Sequence, residues 1–105
     1  MTFRAFYRRR FLNRRGHHAG AYVLADIRIE TWRDDQAPRQ SLDASLTIAD
    51  CSRVATLAFS AYKPAELRNA LHKARVLREV VNDFTDALER AADEVDMGCR
   101  RRRDP

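Results

Sequence analysis

The side chains able to do chemistry fall in three places: His17 and His18 between Gly16 and Gly20, Cys51 between Asp50 and Ser52, and His72 alone further on. Nucleophilic catalysis needs a thiol or hydroxyl, a base within reach and a partner that orients the base. Cys51, Ser52 or Ser60 would therefore have to meet His17, His18 or His72 across the fold. Metal binding makes a similar demand. His17 and His18 are adjacent, so in an extended segment they point to opposite sides, and neither Cys51 nor Cys99 has a CxxC neighbour. The chain contains no GxSxG, Walker loop, GxGxxG or HExxH. Asp83, Asp86, Glu89, Asp93, Glu94 and Asp96 recur at the spacing of a solvated helix face. The expectation is a non-enzymatic protein with no catalytic residues, no metal, no cofactor and no small-molecule substrate, whose paired histidines serve a glycine-flanked loop.

Arginine is the second signal. Of 20 basic residues only Lys63 and Lys73 are lysine, a bias that a GC-rich genome also produces. Eight arginines against Asp26 and Glu30 leave residues 1–33 at +6, within a chain of net charge +5. Such a segment suits phosphate, an acidic membrane surface or an acidic protein. Arg4, Arg8 and Arg10 on a first strand and Arg28 on a second, interleaved with Phe6, Tyr22 and Trp32, outline a candidate nucleic-acid face. Arg100, Arg101, Arg102 and Arg103 would act as an auxiliary clamp. Against this stands an ordinary solvated sheet face, because Asp26 and Glu30 share it and can pair with the arginines.

The elements that position these residues follow from periodicity. Over residues 21–31 the odd positions are Ala21, Val23, Ala25, Ile27 and Ile29, alternating with more polar neighbours, which is a half-buried strand. Before it, Phe3, Ala5, Tyr7 and Phe11 share one face of a strand over residues 2–12 and Arg4, Phe6, Arg8 and Arg10 the other, with Arg9 off-pattern. Residues 13–20 supply Asn13, Gly16 and Gly20 for a long hairpin loop. Residues 33–40, polar and containing Pro38, read as a connecting loop. Leu42, Ala44, Leu46 and Ile48 alternate in a third strand, Leu57 and Phe59 in a fourth, and residues 50–53 make the tight turn between them.

From Pro64 to Met97 neither Gly nor Pro interrupts, so one helix of about 34 residues is expected. Pro64 suits its first turn, Glu66 its positive end and Gly98 a left-handed cap at its close. Leu67, Ala74, Val81, Leu88 and Val95 recur every seven residues, with Ala70, Leu77, Phe84 and Ala91 between them: a coiled-coil seam. A strand of about 10 residues spans roughly 35 Å, less than such a helix. The overhanging stripe of Phe84, Leu88, Ala91 and Val95 is thus the candidate protein-interaction surface, for a second copy of the chain or a host protein.

The stretch from Phe11-Leu12-Asn13 through Gly16-His17-His18-Ala19-Gly20-Ala21-Tyr22-Val23, with Leu46-Thr47-Ile48-Ala49-Asp50-Cys51 and Asn69-Ala70-Leu71-His72-Lys73, resembles small accessory proteins of actinobacterial phages. The resemblance covers residues 11–88 and implies a phage or prophage accessory protein acting in the host cytoplasm. It assigns no reaction. With 105 residues, 45% hydrophobic and 33% charged, one domain is expected over residues 1–98, followed by a disordered basic tail at 99–105. No apolar run is long enough to span a membrane, and arginines interrupt the N-terminus where a signal peptide needs an apolar core, so a cytoplasmic location is expected. The fold class is α+β: a four-stranded antiparallel meander, then one long helix packed across a sheet face. The expected core is Phe3, Tyr7, Phe11, Val23, Ile27, Ile29, Leu46, Ile48, Leu57 and Phe59 with Leu67, Leu71, Leu77, Val81 and Phe84.

Overall fold

Apolar alternation produces the sheet. In the computed structural model, which describes residues 1–35 and 37–103 (of 99–103 the backbone alone), four strands pair antiparallel in the order β1-β2-β3-β4. They are β1 (Thr2–Phe11), β2 (Ala21–Arg33), β3 (Pro38–Asp50) and β4 (Arg53–Ala58), followed by helix α1 (Pro64–Arg103). This is the α+β meander with a long C-terminal helix that the pattern predicts. The chain forms two compact units, Met1–His72 and Lys73–Pro105.

β2 and β3 pair without interruption from Ala21↔Asp50 to Arg33↔Pro38, so the loop expected at 33–40 shrinks to residues 34–37. Asp34 explains how. Its carboxylate accepts from the Ala37 backbone N–H at 2.9 Å and from Arg39 Nε at 2.6 Å, tying the polar turn to the strand after it. At the next turn, Asp50 pairs with Arg53 across the two residues Cys51 and Ser52. Cys51 takes φ of 56°, the left-handed conformation that two-residue hairpins demand.

β1 departs from simple alternation. Arg4 pairs with Arg28, but Phe6 pairs with Ile27, leaving Ala5 as a bulge without a partner on β2. Because side chains alternate every residue, one inserted residue exchanges the faces of everything after it. Tyr7 and Phe11 therefore lie opposite Asp26 and Tyr22, on the polar face, and only Phe3, opposite Ile29, joins the apolar face as expected.

The core is also smaller than the apolar pattern predicts. The buried apolar residues are Ala21, Ala44, Ala49, Ala61 and Ala70, and no large side chain is fully buried among the described residues. Val23, Ile27, Ile29, Leu46, Leu57, Phe59 and Leu77 are half-buried. Phe3, Tyr7, Phe11, Ile48, Leu67, Leu71, Val81 and Phe84 are exposed, contrary to expectation. Two features go with this: β1 is exposed on both faces, Phe3 and Phe6 as much as Tyr7 and Phe11, and a seven-residue repeat is matched to a helical partner rather than to a twisted sheet.

Glu66 sets the start of α1. Its Oε1 accepts from the backbone N–H groups of Tyr62 at 3.0 Å and Lys63 at 2.9 Å, so Lys63 is the N-cap, Pro64 the first helical residue and Glu66 the back-reaching third. These two bonds, that from Tyr62 first, hold the Glu66 carboxyl below its ordinary value. The helix does not stop at Gly98, which adopts no positive φ, and its backbone runs on to Arg103. Arginine is a strong helix former and is favoured at the negative end of the helix dipole, which accounts for the extension.

Candidate interaction surfaces

The polar face of the sheet carries charge and aromatic rings together. Asp26 is clamped by two arginines, Arg28 at 3.1 Å and Arg4 at 3.6 Å. The Arg4 guanidinium also lies 4.7 Å from the centre of the Tyr7 ring, and that of Arg9 lies 5.2 Å from Phe11 and 5.3 Å from Tyr22. These distances fit cation–π contacts. The four arginines expected on one face do not share it. Arg4 and Arg28 are together, but Arg8 and Arg10 pair with Ala25 and Val23 on the apolar face. Arg9, which looked off-pattern in the sequence, takes their place because of the bulge at Ala5. Trp32 leaves this strip to pack edge-on against Tyr62, 6.1 Å away. The side chains of Arg100, Arg101, Arg102 and Arg103 lie outside the described residues.

His18 and Cys51 do meet, where the β1–β2 loop reaches the β3–β4 turn. Sγ of Cys51 stands 3.5 Å from Nε2 and 3.7 Å from Nδ1 of His18, while Nδ1 accepts the Gly20 backbone N–H at 2.9 Å. Asn13 Nδ2 donates to the His18 carbonyl at 2.6 Å, and the Cys51 N–H donates to the Gly20 carbonyl at 3.0 Å. Together these bonds fasten the β1–β2 loop to the β3–β4 turn. Gly20 is required here by space: a Cβ on it would sit 2.2 Å from Cε1 of His18 and 3.2 Å from the Cys51 Cα. His17 makes a backbone bond to Arg14 within the same loop. Among the described residues no group of three or more His, Cys, Asp or Glu side chains is placed to hold a metal.

Where the chain enters α1, Ile29, Leu42, Ala61, Tyr62, Pro64 and Leu67 line an open groove of 340 Å³. Ala61 and Leu42 exchange backbone hydrogen bonds of 2.9 Å, which hold the helix start beside β3. Sequence periodicity missed this groove, because it depends on an isolated bridge beyond the end of β4.

Along α1 the predicted seam is uncovered. Phe84 is 63% exposed, Leu88 55% and Val95 66%, flanked by Val80 and Val81. Ala91 is exposed as well. No family model, curated protein or solved structure matches the chain. No helix among the described residues is long and apolar enough to cross a membrane.

Proposed function

We propose that this is a small non-enzymatic accessory protein of phage type, which self-associates through the α1 seam and so presents its sheet to a host or phage protein complex. The observation that carries this reading is the exposure of Phe84, Leu88 and Val95 on one heptad stripe in a chain whose buried apolar residues are alanines. An isolated helix gains little from propensity alone, and a stripe of this kind is normally covered. The engagement of His18 and Cys51 in loop bonds gives both a structural role and supports a non-catalytic reading. Sedimentation velocity at micromolar concentration tests the self-association, and an affinity pull-down from host lysate, repeated with Phe84→Glu, identifies a partner that needs the assembled form. A monomer with an intact helix would refute the reading.

The polar face favours a second reading, a nucleic-acid-binding protein. Arg4, Arg9 and Arg28 beside Tyr7, Phe11 and Tyr22 combine phosphate-directed charge with rings on which bases stack. The test is a DNA and RNA titration at two salt concentrations on the wild type, on Arg9→Ser with Tyr22→Ala, and on a chain ended after Met97. Loss with the double variant supports the face; loss with truncation alone indicates generic attraction to the arginine tail.

A further inference from the structure

The helix is divided by charge as sharply as it is striped by hydrophobicity. Residues 67–78 contain Arg68, Lys73, Arg75 and Arg78 and no acid, while residues 79–98 contain seven acids and only Arg90 as a base. The division falls within one continuous helix; on its heptad Lys73, Arg78 and Glu94 border the apolar stripe, and the remaining charges lie farther round the helix. A parallel pair would set Lys73 beside Arg78 of the other copy and bring the two acidic halves together. Pairing head-to-tail would lay each basic half along the other copy's acidic half, and oppose the helix dipoles as well.

The seam agrees with the charges. Antiparallel overlap of residues 71–94, which leaves out the buried Ala70, has its two-fold axis between Val81 and Phe84. Val81 then meets Phe84, Leu77 meets Leu88 and Ala74 meets Ala91, so large residues fill the centre and small ones lie toward the ends. A parallel pair would instead set Phe84 against Phe84 and each alanine against its own copy. At the centre this sets a β-branched valine against the bulkiest side chain of the stripe.

We propose that the occupant of the α1 seam is a second copy of the chain in antiparallel orientation, with residues 71–78 of one copy lying along residues 87–94 of the other. This rests on the reading of the helix as a self-association surface and specifies its geometry. Antiparallel pairing places the first turns of the two α1 helices at opposite ends of the helix pair.

Spin-label distances on the full-length chain decide it, in a Cys51→Ser, Cys99→Ser background carrying either His72→Cys or Asp93→Cys, both on the outer side of the helix away from the seam. Residues 72 and 93 are 21 positions apart, about 30 Å along a helix rising about 1.5 Å per residue. In an equimolar mixture of the two labelled chains, the antiparallel dimer brings residue 72 of one copy level with residue 93 of the other and gives the shortest distance for that mixed pair, while each chain paired with its own kind gives a longer one, because an axial offset of about 30 Å adds to the lateral separation. A parallel dimer reverses this order and overturns the orientation while leaving self-association standing. A monomer by sedimentation overturns the reading on which it rests, and a dimer with all distances long shows that another surface pairs the copies, overturning both. Salt supplies a second readout: raising sodium chloride from low to molar concentration weakens an antiparallel dimer at least several-fold and tightens a parallel one, since screening removes attraction in the first and repulsion in the second.

Discussion

The β2–β3 hairpin and the helix beyond His72 carry comparable apolar side chains and dispose of them differently. In the hairpin, Val23, Ile27, Ile29 and Leu46 are half-buried because each lies between cross-strand neighbours supplied by the same chain. In the helix, Val80, Val81, Phe84, Leu88 and Val95 are all exposed. A strand obtains neighbours from the next strand of a meander; a helix that follows the meander obtains none from a further helix. Sheet stability is accordingly a property of one chain, whereas under the proposed self-association stability of the outer helix is a property of the assembly.

Separate perturbation of the two regions is the way to break that distinction. The largest effect is expected from Phe84→Glu with Leu88→Glu, which places two charges in the seam. Association should weaken by at least about 3 kcal/mol, and the helical circular-dichroism signal should fall, while amide protection of β2 and β3 persists. Collapse of the sheet in the same variant would show that the two regions fold as one.

Gly20→Ala attacks the sheet side. The new methyl group evicts the His18 ring, frees the Gly20 N–H and crowds the Cys51 backbone, at a cost of about 1–2 kcal/mol in chemical denaturation of the sheet, with the dimer constant unchanged. Cys51→Gly acts at the other end of the same junction with opposite sign. It relieves a positive φ of 56° and should stabilise by about 0.5–1 kcal/mol, less whatever the His18 contact contributes.

Ala5 sharpens the account of β1. Deleting it removes the bulge and keeps Phe6 opposite Ile27, so the sheet should melt within about 1 kcal/mol of the wild type. Were β1 a simple alternating strand, the same deletion would reverse the faces of six following residues and unfold the edge.

The smallest effect lies where sheet and helix join. Two backbone N–H groups lower the folded-state carboxyl of Glu66, so its contribution is fully present above the ordinary carboxylate value and is lost as pH falls through the lowered one. Melting between pH 5 and pH 3 should show a shallow decline that Glu66→Gln flattens.

These residues also mark what periodicity can reveal. Alternation from Ala21 to Ile29 and from Leu42 to Ile48 identified the paired strands, and Pro64 with Glu66 identified the helix start, because each signal is local and is satisfied by its own element. The placement of Tyr7, Arg8, Arg9, Arg10 and Phe11 was not legible, because nothing in residues 2–12 distinguishes an alanine in a strand from an alanine in a bulge. His18 and Cys51 meet through two loops whose closure no spacing encodes. The heptad stripe was plain in the sequence, yet its exposure was not, since burial of a helix face depends on what lies opposite it. Gly98 continues the helix although glycine is able to terminate one, so its residue type alone does not mark the end of α1.

The most direct test of the account is sedimentation equilibrium of the full-length chain at micromolar concentration in low and in molar salt, with helicity followed in parallel. Antiparallel self-association through the seam gives a species of twice the 12.2 kDa chain mass whose dissociation constant rises with salt. A 12.2 kDa species that keeps its full helical signal at every concentration would contradict it.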